Sequence, residues 1–152
     1  MIIKGEYEFN IVIQNMFHTY ELVTTNHNIV TNNGMVLILK CALGESEEYL
    51  GDVWVGTNSQ SATVEDTSLQ DAVRLPATEK DFDEHILRYT ISTDGGVINN
   101  TSEIGIIGTE GTLVTRDVHD RFDIPSTAQI TLKYTLMLTN VENEELEEEE
   151  NI

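Results

Sequence analysis

Two groups of acidic residues in the second half of the chain have the residue types and the close spacing that could bind a metal cation. Calcium takes six to eight oxygen ligands, and clustered carboxylates are their usual source in proteins. Neither group has the spacing of a helix–loop–helix calcium loop, and such groups arise by chance in so acidic a chain. We therefore favour solvated loops and predict no metal site and no cofactor. The groups are Asp81, Asp83, Glu84 and His85, and Asp117, His119, Asp120 and Asp123.

The other nucleophilic and metal-ligating residues are isolated from one another in the sequence. The chain has four histidines, far apart, and one cysteine, Cys41. It lacks the paired histidine spacing of zinc proteases, a phosphate-binding glycine motif and a nucleophile elbow. Cys41 lies in an apolar segment with no base assigned to it, so we expect a buried, unreactive thiol. The sequence therefore predicts a protein that is not an enzyme.

The single tryptophan is open to two interpretations. Trp54 lies between Val53 and Val55, so in a strand it points to the opposite side from those valines. If the valines face the core, Trp54 faces solvent and could bind a partner protein or a sugar. If the sheet is covered on both faces, Trp54 is a core residue. We favour the core position and keep Trp54 as a candidate interface residue.

The balance of charges excludes several classes of partner. The chain has 152 residues, with 8 Lys and Arg against 27 Asp and Glu, and a formal charge of -19. Removing the seven acids between Glu142 and Glu150 leaves -12 on the rest of the chain. Such a chain repels phosphate backbones and anionic lipid surfaces, so we expect no nucleic acid and no membrane as partners. A lone cysteine and an N-terminus without a secretory pattern favour folding in a cytoplasm.

Alternation of apolar and polar residues predicts strands over most of the chain. From Ile3 to Ile13 the apolar side chains fall on one face, and residues 17–25 form the hairpin partner of this strand. Residues 129–138 alternate in the same way and are the clearest strand. The other predicted strands are 53–56, 86–92, 97–98, 103–107 and 112–118, with 97–98 pairing back across a turn at 94–96.

Two segments carry the signals of short helices. The segment from Thr31 to Gly34 precedes an apolar run that ends at Leu43, and a glycine follows directly. These are helix start and stop signals. The run is apolar nearly all round, which predicts a buried helix, with a short buried strand as the alternative. Residues 67–73 begin with the spacing of a capping box and predict a second helix.

Five short motifs follow one another in a definite order between residues 29 and 138: Thr31-Asn32-Asn33-Gly34, Val53-Trp54-Val55-Gly56-Thr57, Asp66-Thr67-Ser68-Leu69, Ser102-Glu103-Ile104-Gly105-Ile106 and Gly111-Thr112-Leu113-Val114-Thr115-Arg116. This order resembles that of small structural proteins of tailed bacteriophages and prophages, which are tail, fibre or other virion-associated proteins. The resemblance implies a place in the virion after synthesis in the bacterial host cytoplasm, with other phage structural proteins as partners. It transfers no catalytic residue.

Short strands punctuated by turns, with one or two short helices, predict a mainly β fold. We expect an antiparallel β-sandwich of jelly-roll or immunoglobulin-like topology, forming one domain over residues 1–141. Residues 142–152 are low in complexity and like-charged, which predicts a disordered acidic tail. Docking of this tail on a basic partner surface is the alternative for this segment.

Assembly with copies of itself or with other virion proteins is the function that these features favour. The N-terminal hairpin, residues 1–25, is a possible assembly element because its first strand could pair with a neighbouring subunit. Virion assemblies are symmetric, so we expect a homo-oligomer, either tail- or fibre-associated or decorating a capsid. The alternative is a carbohydrate- or receptor-binding module that uses Trp54, Tyr49 and Phe82. The candidate interface residues are Ile3, Tyr7, Phe9 and Trp54.

Overall fold

The computed structural model describes residues 2–13, 16–24 and 29–139. The predicted turn at 14–15, the loop at 26–28 and the acidic tail at 142–152 lie outside these residues. The described residues form the following elements: β1 (Ile2–Ile13), β2 (Met16–Thr24), β3 (Ile29–Val30), α1 (Asn32–Ala42), β4 (Leu50–Gly56), β5 (Val73–Leu75), β6 (Glu79–Asp83), β7 (Ile86–Asp94), α2 (Gly95–Ile98), β8 (Glu103–Gly108), β9 (Thr115–Val118) and β10 (Gln129–Thr139).

The strands form two five-stranded antiparallel sheets that pack on each other. Sheet one has the order β2-β1-β10-β7-β6 and sheet two the order β3-β9-β8-β4-β5. The chain's first and longest strand pairs with its last strand in a continuous register, which places Tyr7 opposite Tyr134. The core between the sheets consists of the inward side chains of both. The prediction of a mainly β sandwich with short helices is therefore confirmed.

A row of three tyrosines ties the two sheets together. Tyr7, Tyr134 and Tyr89 lie directly opposite one another on adjacent strands of sheet one, and all three are buried. A buried tyrosine hydroxyl needs a hydrogen-bond partner, and each of these finds one on sheet two. The partners are Oδ2 of Asp117 at 3.0 Å from Tyr7, Oγ1 of Thr115 at 2.9 Å from Tyr134, and the carbonyl oxygen of Gly51 at 2.9 Å from Tyr89.

The N-terminal hairpin is an integral part of sheet one. Strand β1 pairs with β2 on one side and with β10 on the other, so its backbone groups are already used within the chain. Tyr7 and Phe9 point between the sheets and are 1% and 0% exposed. Pairing of β1 with another subunit, and the assignment of Tyr7 and Phe9 to an interface, were therefore wrong. Ile3 is partly buried at the end of the same strand.

Helix α1 confirms the first predicted helix but not its full burial. Thr31 is the N-cap, and its hydroxyl oxygen accepts a hydrogen bond from the N–H of Gly34. Only Gly34 and Leu37 of the helix are buried, and most of the other apolar side chains of the segment are exposed. Cys41, expected to be buried, is half-buried, and its thiol donates to the carbonyl oxygen of Glu48.

Residues 67–73 do not form the predicted helix. They belong to a long connection between β4 and β5, and Val73 already starts β5. The N–H of Gln70, which in a capping box would donate to the side chain of Thr67, donates instead to a carboxylate oxygen of Glu103 at 2.8 Å. Asp71 has a positive φ of 47°, which no α-helix contains. A tertiary contact therefore overrides the local capping-box signal.

Residues 97–98 do not form the predicted returning strand. Strand β7 continues to Asp94, whose carboxylate caps α2 by accepting from the N–H of Val97. Gly95 approaches the chain at Pro125 so closely that a Cβ would lie 1.9 Å from the Pro125 carbonyl oxygen. Gly95 and Gly96, which predicted a hairpin turn, therefore form the first turn of α2, and Gly95 packs against the chain at Pro125. The second helix lies here, in the second half of the chain.

Candidate functional site

The first acidic group lies on the hairpin formed by β6 and β7 at the edge of sheet one. Asp81 stands directly opposite Arg88, and their side chains are 3.2 Å apart. The carboxylate of Asp83 lies 3.9 Å from the same guanidinium. Both aspartates are exposed. This group therefore forms cross-strand ion pairs on a solvated edge, which also discourage another strand from pairing there.

The second acidic group is divided between the core boundary and the solvent. Asp117 accepts the hydrogen bond of the Tyr7 hydroxyl, whereas Asp120 and Asp123 are exposed. His119 points inward and is 7% exposed. Within residues 2–13, 16–24 and 29–139, no three His, Cys, Asp or Glu side chains are placed to hold a metal ion.

His119 is a buried histidine enclosed by aromatic rings. The rings of Tyr7, Phe9 and Phe122 lie 4.9 to 6.0 Å from its imidazole, centroid to centroid. Its Nδ1 lies 2.8 Å from the carbonyl oxygen of Asp120. Its Nε2 is buried without a hydrogen-bond partner among the described residues. Burial lowers the pKa of His119 below its ordinary value, so this imidazole is neutral near pH 7.

Trp54 lies on the outer face of sheet two. Val53 and Val55 point into the core and are 0% exposed, while Trp54 alternates to the other side and is half-buried. Arg74 on β5 and Gly105 on β8 are its cross-strand neighbours. The favoured core position was therefore wrong, because the outer face of sheet two is only partly covered. Trp54 stays a candidate interface residue.

A buried ion pair joins the two strands that follow α2. Arg116 on β9 and Glu103 on β8 are 1% and 0% exposed, and Nε of Arg116 lies 2.7 Å from Oε1 of Glu103. The other oxygen of Glu103 accepts the N–H groups of Asn58 and Gln70 at 2.9 and 2.8 Å. The carboxylate therefore has one charged and two backbone donors, as a buried charge requires.

The guanidinium of Arg116 also holds the connection between β4 and β5. One terminal nitrogen donates to Oδ2 of Asp66 at 2.9 Å, and the other donates to the carbonyl oxygens of Asn58 and Gln60. Burial alone would lower the pKa of Arg116, but its bonds to Glu103 and Asp66 outweigh this and raise it. Arg116 therefore stays charged and fastens a long loop to sheet two.

Asp66 completes this arrangement from within the loop. Its carboxylate accepts from the N–H and the hydroxyl of Thr63 in addition to Arg116. Desolvation opposes ionisation of Asp66, yet these hydrogen bonds lower its pKa below the ordinary value. We call Asp66, Glu103 and Arg116 the buried ionic cluster. Every one of its charged groups is engaged in holding the backbone, which assigns it to structure.

Sequence reasoning missed the buried ionic cluster as a unit. All three of its members belong to the five short motifs identified in the sequence, but they are separated by up to 50 residues. The available signal was a charged residue inside an apolar strand, such as Glu103 before Ile104 and Arg116 after Val114. Charged residues are almost never fully buried unless they are paired, so two charged residues of opposite sign inside apolar strands predict an ion pair with each other.

An open groove of about 600 Å³ runs beside α1. Its walls carry the side chains of Val36 and Lys40 on one side and of exposed glutamates, including Glu45 and Glu47, on the other. Glu48 at its base accepts hydrogen bonds from three donors of the segment 110–112, and these bonds lower its pKa despite desolvation. The Glu48 carboxylate therefore holds the connection between β8 and β9 in place, and its oxygens are already used in these hydrogen bonds.

On the other flank of α1 lies an apolar hollow of about 420 Å³. Most of its lining is apolar, with Glu84 and His85 as the exceptions. The apolar lining residues are Ile3, Ile38, Leu50, Phe82, Leu87, Leu136 and Leu138. Phe82 stands at its rim with 75% of its surface exposed. Ile3, predicted at an interface from the sequence, therefore does lie beside an exposed apolar region.

Comparisons with known proteins do not assign this chain. No protein-family model matches it. No curated protein matches it in sequence, and no solved structure matches its fold. Within the part of the chain that the structure describes, no helix has the length and apolar character to cross a bilayer.

Proposed function

We propose that this chain is a non-enzymatic structural protein of a bacteriophage virion. It is tail- or fibre-associated or decorates a capsid, and it acts through protein–protein assembly. The order of its motifs, which resembles that of small phage structural proteins, supports the virion setting. No step of this role requires a cofactor, a nucleic acid or a membrane.

The observation that carries the proposal is that residues from the five motifs hold the backbone of the fold in place. Asp66, Glu103 and Arg116 come from three different motifs and meet in one buried cluster whose groups all hold backbone. Gly105, from the same set, lets two strands approach, since a Cβ there would lie 2.0 Å from the Thr115 carbonyl oxygen. The motifs therefore specify a rigid scaffold, which suits a protein whose task is to bind other proteins.

The direct test is the composition of particles. Virions are banded in a density gradient from the host that carries the gene, and their proteins are quantified by mass spectrometry. The proposal expects this chain at a fixed, symmetric copy number relative to the major capsid or tail protein. Its absence from intact particles, while it is abundant in the lysate, would refute the virion role.

A carbohydrate- or receptor-binding role is the second candidate. The exposure of Tyr49 at 63% and of Phe82 at 75%, and the outward position of Trp54, favour it, because exposed aromatic rings are typical of sugar and receptor contacts. A glycan array distinguishes this role. Binding that Trp54→Ala abolishes supports it, and an array without hits counts against it.

A further inference from the structure

Helix α1 presents an apolar stripe to solvent. Met35, Leu39 and Leu43, spaced one turn apart, are 53%, 62% and 72% exposed, and Val36 beside them is 50% exposed. Residues four apart lie on the same side of a helix, so these side chains form a continuous surface. A helix that is apolar nearly all round is normally buried all round. Among residues 2–13, 16–24 and 29–139, nothing covers the outer side of α1.

The stripe continues into the apolar hollow. Ile38, the residue before Leu39 in α1, lines that hollow, and so does Phe82. Leu138, at the end of β10, is 43% exposed and lines it too. The stripe, the hollow and Phe82 together form one surface, which we call the α1 face.

The α1 face is large enough for a specific interface. The exposed parts of its stripe residues and of Phe82 correspond to about three whole large side chains, or roughly 500 Å² of apolar surface. This is at the upper end of the largest patch on a typical monomer, about 300–600 Å². With its rim it provides most of the roughly 800 Å² per partner that a standard interface buries.

We propose that the α1 face pairs with the α1 face of a second copy about a two-fold axis. A two-fold interface joins the same patch on both chains, so that patch must contain both projections and recesses. The α1 face contains a protruding aromatic, Phe82, beside a hollow of about 420 Å³. Phe82 of each copy fills apolar space on the other, as a buried aromatic anchor does in a stable interface.

The charge of the chain determines how this pairing responds to salt. Each copy carries a formal charge of -19, so two copies repel each other at low ionic strength. The contact itself is mainly apolar, with Glu84 and His85 as the titratable side chains that line the hollow, so ions do not weaken its apolar part. Salt screens the repulsion, since the Debye length falls from about 30 Å at 0.01 M to about 10 Å at 0.1 M. Pairing therefore strengthens as salt is added, whereas docking on a basic partner would weaken.

The test is sedimentation equilibrium of the full chain at low and high NaCl, with three variants. Leu39→Asp places a charge in the centre of the stripe, and Phe82→Ala removes the anchor. Val73→Asp is the matched control, because Val73 is also exposed, at 42%, but it starts β5 at the edge of sheet two and is not among the residues that line the hollow. Circular dichroism verifies that each variant is folded, and both face residues are more than half exposed, so the fold tolerates their replacement.

We expect a dimer whose affinity rises with salt, a loss of about 30-fold or more in Leu39→Asp and Phe82→Ala, and no change in Val73→Asp. A monomer at both salt concentrations, or a dimer that Leu39→Asp leaves intact, overturns the proposal. The inference deepens the proposed assembly role by naming its surface and partner. The two fail separately: particle composition tests the virion role, and a chain present in virions but monomeric in solution retains that role with a different protein on the α1 face.

Discussion

Removal of the Arg116 side-chain charge tests the buried ionic cluster. In Arg116→Met the carboxylate of Glu103, 0% exposed, loses its charged donor but keeps two backbone N–H donors. Breaking a buried pair from one side destabilises a protein by about 3–5 kcal/mol. The retained donors place this variant at the lower end, about 3 kcal/mol. For a chain of this size that corresponds to a fall in Tm of roughly 6–12 °C.

The assay is urea unfolding followed by tryptophan fluorescence and circular dichroism, with Arg74→Met as the matched control. Arg74 also bonds a carboxylate, that of Asp52, at 2.6 Å, but its side chain is 56% exposed and Lys80 holds the same carboxylate at 2.9 Å. Exposed pairs contribute less than about 1 kcal/mol. The two variants therefore remove the same chemical group from a short ion pair and differ in burial.

A double variant separates the buried charge from the lost packing. Arg116→Met with Glu103→Gln removes the fully buried uncompensated charge and leaves only Asp66, which is partly exposed and keeps its two bonds to Thr63, without a charged partner. It should therefore be about 1–2 kcal/mol more stable than Arg116→Met alone. The loop between β4 and β5 should also become sensitive to protease in the single variant, because Arg116 holds Asn58, Gln60 and Asp66. A loss below about 1 kcal/mol in Arg116→Met, or strictly additive effects, would refute the reasoning.

Three further predictions concern the core and the caps. Folding lowers the pKa of His119, so the unfolded chain binds the proton more tightly than the folded chain. The stabilisation is therefore fully present above about pH 6.5 and falls as the pH drops below it. Urea midpoints measured between pH 7.5 and 5 should show this fall in the original chain and lose it in His119→Phe. Gly105→Ala should cost about 2–3 kcal/mol, since its Cβ would lie 2.0 Å from a backbone oxygen, whereas Gly96→Ala, with 3.2 Å to its nearest neighbour, should change thermal stability by less than about 0.5 kcal/mol. Thr31→Ala should cost about 1–2 kcal/mol in the same urea assay, because the Thr31 hydroxyl caps α1 and donates to the Leu113 carbonyl oxygen; a change below about 0.3 kcal/mol would contradict this.

The helices and strands that could be predicted from the sequence are those in which the order of apolar and polar residues follows from one side being buried. Strands β1 and β10 alternate because one side of each faces the core, and α1 begins where Thr31 caps it. Strand β6 was not predicted, because all five of its residues are exposed and it carries no apolar alternation. Its position is fixed by its pairing with β7, which is a tertiary contact that no local pattern records.

Whether a candidate site residue is exposed could be predicted from the sequence only where the chemistry of its side chain decides it. The chemistry of Asp81 and Asp83 predicted a solvated loop; both are exposed, but they lie in strand β6, where they pair with Arg88. Tyr7 and Phe9 were assigned to an interface because an alternating strand shows which side chains share a face, but not whether that face meets another sheet or another chain. Here sheet two covers it.

The same ambiguity has the opposite outcome at α1. The apolar composition of this segment predicts burial on all sides, and the isolated chain buries one side, with Leu37 inside and Leu39 outside. Hydrophobic patterning reflects the environment in which a protein functions, including surfaces that only an assembly covers. The mismatch between pattern and fold at α1 therefore supports the proposed pairing. A second copy on the α1 face would make the burial of Leu39 agree with its sequence, without any change in the fold.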